Sequence, residues 1–167
     1  DFVEFGTFQG LGICLLDLSF TSPTDRKIIG IDSFEGLPHS STIWRKHKFN
    51  ETSVESTNEF LKDRIVNFKT FKLIKGWFNE PFVKDELFSS CNKIALVHFD
   101  ADLKTSTYEA LTLITPYLVK NMGMPTFLLF DDWGSHHLEV PDAFEDWKIE
   151  LDKKFAYQFE IVATTDS

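Results

Sequence analysis

The stretch KIALVHFDADLKTST, residues 93–107, decides the fold, because an apolar run ends there directly in acidic residues. Residues 94–99 have the length and apolar character of a buried strand. Asp100 and Asp102 follow this strand, and the same pattern returns where residues 126–130, TFLLF, run into Asp131 and Asp132. In open α/β sheets, ligands bind at the carboxyl ends of the strands. The two runs therefore predict four carboxylates at one edge of a sheet.

Four neighbouring carboxylates predict a cation. They repel one another, and some of them take up protons unless a positive charge compensates. A hard divalent cation with oxygen ligands is the simplest compensation; Mg²⁺ is the first choice, and Ca²⁺ or Mn²⁺ would suit the same ligands. A single Asp after a strand is more often a solvated helix cap or loop residue. Two pairs, each directly after an apolar strand, favour the metal site.

Length and composition indicate a single soluble domain over residues 1–167. Hydrophobic residues make up 43% of the chain and charged residues 26%, which is ordinary for a globular protein. The net charge of −9 argues against binding to nucleic acid or to an anionic membrane. No apolar run approaches the roughly 20 residues that span a bilayer. We expect a cytoplasmic protein, because the sequence shows no signal peptide and its two cysteines form neither a disulfide framework nor a zinc motif.

A glycine turn follows the first predicted strand. Residues 2–5, FVEF, are strand-like, and VEFGTFQG arranges Glu4, Gly6 and Gly10 as Glu-x-Gly-x-x-x-Gly. Glycines allow a tight turn and close approach of a ligand to the backbone, and the following helix, residues 11–20, offers free N–H groups to an anion. This order is typical of the opening of a nucleotide-binding unit. A plain strand-to-helix turn is an equally good interpretation.

The next two predicted strands end in residues that suit a nucleoside. Residues 27–31, KIIGI, run into Asp32, which lies where a carboxylate usually holds two ribose hydroxyls, because it can accept two hydrogen bonds from a diol. An N-cap or Asx-turn role is the alternative for Asp32. After the third strand, residues 71–74, Gly76 and Trp77 could border an adenine ring or pack in the core.

The alternation of strands and helices predicts an α/β fold: a doubly wound, mostly parallel sheet with helices on both faces. Thr105 or Ser106 would cap the helix after the first acid pair. The chain begins inside one predicted strand and ends soon after another, which is typical of a domain trimmed at both ends. The predicted strands are residues 2–5, 27–31, 71–74, 94–99, 126–130 and 157–163, and the predicted helices are residues 11–20, 51–67, 79–88, 106–119 and 140–155.

The motifs VEFGTFQG, IDSFEGLP, GWF, HFDADLKTST and FDDW, in this order, resemble those of the macrocin O-methyltransferase family. The resemblance runs from residue 2 to about residue 147. Members of that family are class I S-adenosylmethionine-dependent methyltransferases with a Rossmann-like fold. They use a divalent metal ion and methylate sugar hydroxyls of natural products. The resemblance therefore implies an enzyme, a nucleoside cofactor and Mg²⁺ or another divalent cation.

The resemblance also implies a role for each residue of these motifs. Asp102 would be the general base, and Asp100, Asp131 and Asp132 would bind the metal. Glu4, Gly6 and Gly10 would shape the methionine pocket, Asp32 would hold the ribose with Ser33 and Phe34 nearby, and Gly76 and Trp77 would border the adenine. The full set implied for the cofactor is Glu4, Gly6, Thr7, Phe8, Gly10, Asp32, Ser33, Phe34, Gly76, Trp77 and Asp100.

The chemistry of methyl transfer agrees with this division. Transfer from a sulfonium is an in-line displacement, so the acceptor oxygen has to be aligned with the methyl group. A sugar hydroxyl is a poor nucleophile at neutral pH, and a metal bound by two adjacent hydroxyls would lower the pKa of the attacking one. Asp102 could then take the proton. The expected partner is a small-molecule hydroxyl acceptor; homo-oligomerisation is left open.

Two departures from the family pattern keep other functions open. Lys104 stands where the family commonly has tyrosine, so a lysine base is conceivable, as in catechol-type methyltransferases, which share the glycine turn and the metal. The family also usually has helices before the first strand and a strand after the sixth, and neither is in this sequence. His136 and His137 follow FDDWG closely enough to reach the site, although a bystander role is slightly favoured. A cofactor-binding or partner-binding module without catalysis is the third hypothesis.

Overall fold

Strands and helices alternate along the chain. The structure, a computed structural model, describes residues 1–121, 123–134 and 139–155. The five strands form one parallel sheet. In chain order, the elements are β1 (Phe2–Phe5), α1 (Leu11–Leu18), β2 (Thr24–Asp32), α2 (Val54–Lys62), β3 (Phe68–Lys75), α3 (Pro81–Ser90), β4 (Leu96–Phe99), α4 (Lys104–Lys120), β5 (Phe127–Phe130) and α5 (Glu139–Lys154). The order across the sheet is β3-β2-β1-β4-β5.

Helices cover both faces of the sheet. Successive side chains of a strand point to opposite faces, so apolar side chains on both faces need cover, and two separate cores result. The larger core lies between the sheet and α3, α4 and α5, and includes Val83, Leu111 and Trp147. The smaller core lies between the sheet and α1 and α2, and includes Ile13 and Leu61. The predicted doubly wound α/β fold is therefore confirmed. Within the described ranges, no helix combines the length and the apolar character needed to cross a bilayer.

The strand register brings the predicted acids to one edge. Phe5, at the end of β1, pairs with Ile31 of β2 and with Phe99 of β4, and Phe99 pairs with Phe130 of β5. The strands are parallel, so the residues that end or follow them lie at the same edge of the sheet. These residues are Asp32, Asp100, Asp102, Asp131 and Asp132.

Several predicted strands differ from the structure. The third and fourth, predicted at residues 71–74 and 94–99, are Phe68–Lys75 and Leu96–Phe99. The second was predicted at residues 27–31, but β2 begins earlier, at Thr24, and a register shift between Thr24 and Lys27 accommodates the irregular start. The strand at residues 126–130 was predicted to be buried, and β5 is instead half-buried on one face. Its Phe127 and Leu129 are 58% and 51% exposed. The predicted sixth strand, residues 157–163, lies outside the described residues.

The start of α4 also corrects the prediction. Thr105 and Ser106 do not cap this helix, which begins earlier, at Lys104, with Leu103 as an extended N-cap residue and no side-chain cap. The backbone N–H of Lys104 instead donates to Glu139 Oε2 at 3.0 Å. A carboxylate from α5 thus satisfies one of the free N–H groups with which every helix begins. This partner is distant in sequence, so local capping rules could not find it.

A buried acid joins α1 to the start of β3. Asp17 is fully buried, and its carboxylate accepts backbone N–H groups from Val66, Asn67 and Phe68 at 2.9–3.1 Å. The side-chain amide of Asn67 adds a bond to the backbone carbonyl of Asp17 at 3.0 Å. A buried carboxylate is tolerated when hydrogen bonds replace its hydration. Asp17 therefore fixes the point at which the chain leaves α2 and enters the sheet.

Candidate functional site

A cleft of about 140 Å³ opens at the carboxyl edge of the sheet, beside β1, β2 and β4. Its walls come from the segments after these strands and after β3, from the loop after β2 and from the start of α4. Acidic and aromatic side chains dominate the wall. The lining residues are Gly6, Phe8, Asp32, Ser33, Gly36, Leu37, Pro38, Phe49, Trp77, Phe78, Asp100, Ala101, Asp102, Ser106 and Glu109.

The glycine turn after β1 lets two strand ends approach each other. Gly6 has φ +88°, and a Cβ atom there would overlap the backbone carbonyl of Asp100. Gly10 has φ +85° and faces the side chain of Leu61, and its N–H closes the turn on the Thr7 carbonyl at 2.7 Å. Only glycine adopts such angles without strain. The turn therefore brings the backbone after β1 against the first acid pair.

Asp32 is held with both carboxylate oxygens in use. Oδ2 accepts the backbone N–H of Phe8 at 2.8 Å, and Oδ1 accepts that of Phe34 at 2.7 Å. Burial raises the pKa of Asp32, although these two hydrogen bonds oppose the shift. Each oxygen has a further lone pair, and Asp32 lines the cleft. The residue therefore fits the two hydroxyls of a ribose, the group for which the sequence predicts it.

A buried pair joins Glu4, which is among the residues predicted for the cofactor, to His98, which the sequence analysis missed. Glu4 is 5% exposed, and its Oε1 lies 3.1 Å from Nδ1 of His98, the neighbouring residue on β4. Burial raises the pKa of Glu4. Burial by itself would lower the pKa of His98, but the hydrogen bond and the charge of Glu4 outweigh it, so the pKa of His98 is also raised. Both shifts favour the protonated form of the group.

The negative charges of Asp100 and Asp102, the acid pair after β4, are not fully balanced by positive charges of the described residues, and the pKa of each residue is raised. Burial, with the charge of Asp131, raises the pKa of Asp100 to about 7. Burial, with the charges of Asp100 and Asp132, raises the pKa of Asp102 to about 7. Asp102 and Asp132 both adopt left-handed backbone angles, φ 56° and 55°, which are strained for side chains other than glycine. The carboxyl groups of these two residues lie close enough for each to affect the pKa of the other.

The carboxylates fit a metal by their chemistry but are not arranged as ligands. Across residues 1–121, 123–134 and 139–155, no three His, Cys, Asp or Glu side chains form a group that could hold a metal ion. The donors at this edge are carboxylate oxygens, which a hard divalent cation prefers. The raised pKa values of Asp100 and Asp102 show the charge that such a cation would neutralise. Metal binding by Asp100, Asp131 and Asp132 stays a prediction.

The structure brings half of the predicted site together in the cleft wall. The predicted residues that line the cleft are Gly6, Phe8, Asp32, Ser33, Trp77, Asp100 and Asp102. Those that do not line it are Glu4, Thr7, Gly10, Phe34, Gly76, Asp131 and Asp132.

Three predicted candidates sit away from the cleft for identifiable reasons. The hydroxyl of Thr7 is buried towards β2, and Gly76 is enclosed by side chains of α3, including Val83. The ammonium group of Lys104 is 2.7 Å from Asp146 of α5, which points it away from the acids after β4. A lysine base therefore has no support from the geometry. His136 and His137 lie outside the described residues.

Several cleft residues were not found from the sequence. Phe49 comes from the loop that follows β2, and Glu109 projects from the second turn of α4. Leu37 and Pro38 belong to the IDSFEGLP motif, so that motif could have suggested them. Nothing in the local sequence marks Phe49, because its place in the wall depends on how the whole loop folds back.

Comparisons with known proteins agree with the fold. The sequence profile of the family described as macrocin-O-methyltransferase (TylF) matches residues 1–155. The structure is similar to that of the O-methyltransferase NovP, with 21% identity, a TM-score of 0.65, and coverage of 91% of this chain and 64% of that chain. It is also similar to CalS11, described as a calicheamicin methyltransferase, with 22% identity, a TM-score of 0.59 and coverage of 91% and 62%.

A further structure of CalS11 is described as TDP-rhamnose 3′-O-methyltransferase; it shares 20% identity, has a TM-score of 0.57, and covers 87% of this chain and 61% of that chain. At this identity the likeness shows a common fold. This chain spans less than two thirds of the length of these solved relatives. No curated protein matches the chain.

Proposed function

The chain belongs to the macrocin-O-methyltransferase family, and from this membership we propose that the protein transfers a methyl group from S-adenosylmethionine to a hydroxyl of a sugar or other vicinal diol in a small molecule. One observation carries the proposal. The cleft contains Asp32, a carboxylate that can accept hydrogen bonds from a ribose diol. It also contains Asp100 and Asp102, two carboxylates whose pKa is raised by burial and by the neighbouring carboxylates. A nucleoside cofactor and a diol acceptor need these two kinds of group side by side.

The residues of the cleft suggest how the cofactor lies. Asp32 accepts the ribose hydroxyls, and the rings of Phe8 and Trp77, which line the same cleft, provide apolar surface for the nucleoside. Gly6 leaves the backbone free of a side chain where the cofactor passes from β1 towards Asp100. This order follows the edge of the sheet, from β2 across β1 to β4.

The acceptor is activated at the acid edge. Asp100, Asp131 and Asp132 would hold Mg²⁺, which when bound lowers the pKa of a hydroxyl and orients it. Asp102 lines the cleft, and without a cation, burial and the charges of Asp100 and Asp132 raise its pKa to about 7. A bound cation would favour its ionised form, in which it can accept the hydroxyl proton. The sugar acceptor of CalS11 supports the same acceptor class for this chain.

The aromatic wall favours a second candidate. Phe8, Phe49, Trp77 and Phe78 all line the cleft, and aromatic rings stack well on a flat acceptor. A catechol or phenol acceptor would use the same acids and the same cofactor. We rank it second because two of these rings, Phe8 and Trp77, are already assigned to the nucleoside.

Titration calorimetry with S-adenosylhomocysteine, with and without Mg²⁺, tests the proposal. We expect binding at micromolar strength, and methyl transfer to sugar diols in preference to catechols when Mg²⁺ is present. Asp131→Asn should abolish Mg²⁺-dependent transfer but still bind S-adenosylhomocysteine, whereas Asp152→Asn, at an exposed position of α5, should change neither transfer nor binding. A folded protein that binds no S-adenosylhomocysteine would contradict both enzymes and the cofactor-binding module, and would leave only a partner-binding module without catalysis.

A further inference from the structure

A basic loop stands at the rim of the acidic cleft. Residues 36–50, GLPHSSTIWRKHKFN, contain no Asp or Glu, although the chain as a whole carries a net charge of −9. The three cations of this loop, Arg45, Lys46 and Lys48, are exposed, and none of them forms an ion pair with any residue that the structure describes. Their charge is therefore available to an external anion.

The loop is folded on itself at its base. The backbone N–H of Leu37 donates to the Lys48 carbonyl, and that of His47 donates to the Leu37 carbonyl, both at 2.9 Å. The N–H of Lys48 donates to the Arg45 carbonyl at 3.0 Å, which places all three cations in one turn. His47 and Phe49 hold left-handed angles, φ 64° and 68°. Such strained angles persist only where the surrounding structure enforces them.

Both ends of the loop reach the cleft, since Leu37 and Pro38 line it at one end and Phe49 at the other. Phe49 lines the cleft, its ring contacts that of Phe8 at 5.4 Å, and Lys48 Nζ lies 5.2 Å from the centre of the Phe49 ring. At the other end, His39 Nε2 is 2.7 Å from the Thr105 hydroxyl, at the start of α4. The loop therefore spans the mouth of the cleft from the cofactor side to the helix that follows the acid pair.

We propose that the acceptor of this protein is a sugar that carries a phosphate or diphosphate group, and that Arg45, Lys46 and Lys48 bind this group while the sugar diol faces Asp100 and Asp102. The proposal rests on the proposed function. A guanidinium group matches phosphate oxygens with paired donors, and two ammonium groups beside it complement a doubly charged anion. A neutral glycoside would leave all three cations unused at the cleft mouth, and a bare anion would be repelled by the acids deeper in the cleft.

Binding of thymidine diphosphate, glucose 1-phosphate, thymidine and glucuronic acid, measured by calorimetry in the presence of S-adenosylhomocysteine and without divalent cations, tests the proposal. The triple variant Arg45→Gln/Lys46→Gln/Lys48→Gln is compared with Lys84→Gln/Lys120→Gln/Lys153→Gln, which removes the same charge at exposed positions elsewhere. We expect the loop variant to weaken binding of the phosphate compounds about tenfold, and the control by less than about twofold, since each exposed charge contributes modestly.

The relative affinities of thymidine diphosphate and glucose 1-phosphate distinguish a nucleoside diphosphate sugar from a sugar phosphate. Tighter binding of thymidine diphosphate than of glucose 1-phosphate identifies a nucleoside diphosphate sugar, and equal binding identifies a sugar phosphate. Equal affinity of the wild type and the loop variant for thymidine diphosphate overturns the proposal, and so does glucuronic acid binding as tightly as glucose 1-phosphate. If the triple variant fails to fold, Lys46→Gln alone should still weaken phosphate binding about twofold.

Binding of S-adenosylhomocysteine distinguishes a failure of the proposed function from a failure of the proposed acceptor class. Failure of the wild-type protein to bind S-adenosylhomocysteine contradicts the methyltransferase, whatever the loop does. Cofactor binding that is retained, with phosphate binding that does not depend on the loop, contradicts only the acceptor class.

Discussion

Asp32 is the side chain on which the cofactor half of the cleft depends most directly. Its two oxygens already hold the backbone of Phe8 and of Phe34, so it shapes the cleft as well as lining it. We expect Asp32→Asn to weaken S-adenosylhomocysteine binding about tenfold, because one oxygen becomes an NH₂ group that faces an N–H donor. Calorimetry measures this effect. Asp25→Asn, at an exposed position paired with Lys69, is the control; equal affinity in both variants would contradict the role of Asp32.

The pKa of Asp102 predicts how stability depends on pH. Burial and neighbouring carboxylates raise it to about 7, well above the value of about 3.9 for an unfolded chain. Between these values the folded protein binds more protons than the unfolded one, so the free energy of unfolding falls as pH rises. In the absence of metal, we expect the Tm to decrease from pH about 4 to pH about 7 and to level off above the folded pKa.

Asp102→Asn identifies the source of that dependence. The amide does not ionise, so the Tm of the variant should fall less steeply over the same pH range, and it should exceed the wild-type value at the alkaline end. Asp85→Asn, on the exposed side of α3, should keep the wild-type slope. Parallel pH profiles for Asp102→Asn and the wild type would show that the carboxylates are compensated in another way.

Single residues also show where sequence analysis stops. The acids after β4 and β5 could be predicted because each directly follows an apolar run. His98 could not be, because its partner Glu4 lies on another strand and only the register of β1 with β4 brings the two together. Thr7 and Gly76 match the family motifs, yet their surroundings come from β2 and α3, which no local pattern describes.

At the scale of elements, Asp17 ties α1 to the entry of β3. It is fully buried and accepts three backbone N–H groups, from Val66, Asn67 and Phe68. We expect Asp17→Asn to lower the free energy of unfolding by about 2 kcal/mol, because an amide leaves buried donors unsatisfied. Urea unfolding measures this change, with Asp63→Asn, exposed at the end of α2, as control. A loss no larger than that of the control would mean that water replaces these bonds at little cost.

Element types followed from the sequence, and their ends did not. Alternating apolar runs and amphipathic stretches predicted ten of the elements that the structure contains. The start of α4 shifted because Glu139, on α5, supplies the acceptor that a local Thr105 or Ser106 cap was expected to provide. Helix ends depend on tertiary partners of this kind, whereas the core positions of a helix depend on its own periodicity.

At the scale of the whole molecule, the two faces of the sheet are covered unequally. On the side of α3, α4 and α5, the strands are covered out to β5. On the side of α1 and α2, Phe127 and Leu129 of β5 remain more than half exposed, and they share their face with Leu96 and His98 through the register of β4 with β5. The apolar pattern of residues 126–130 predicted a strand covered on both faces, because in a parallel sheet that is the usual arrangement.

This exposed face predicts self-association. Contiguous apolar surface on a sheet favours association, so we expect light scattering to show assembly that increases with protein concentration. Phe127→Gln/Leu129→Gln should suppress this assembly with little change in Tm, because both side chains already contact water. Val66→Gln/Ile149→Gln removes two apolar side chains of similar exposure, 67% and 51%, from separate places and should leave assembly intact. Equal suppression by both double variants would mean that total apolar surface, rather than this face of β5, drives association.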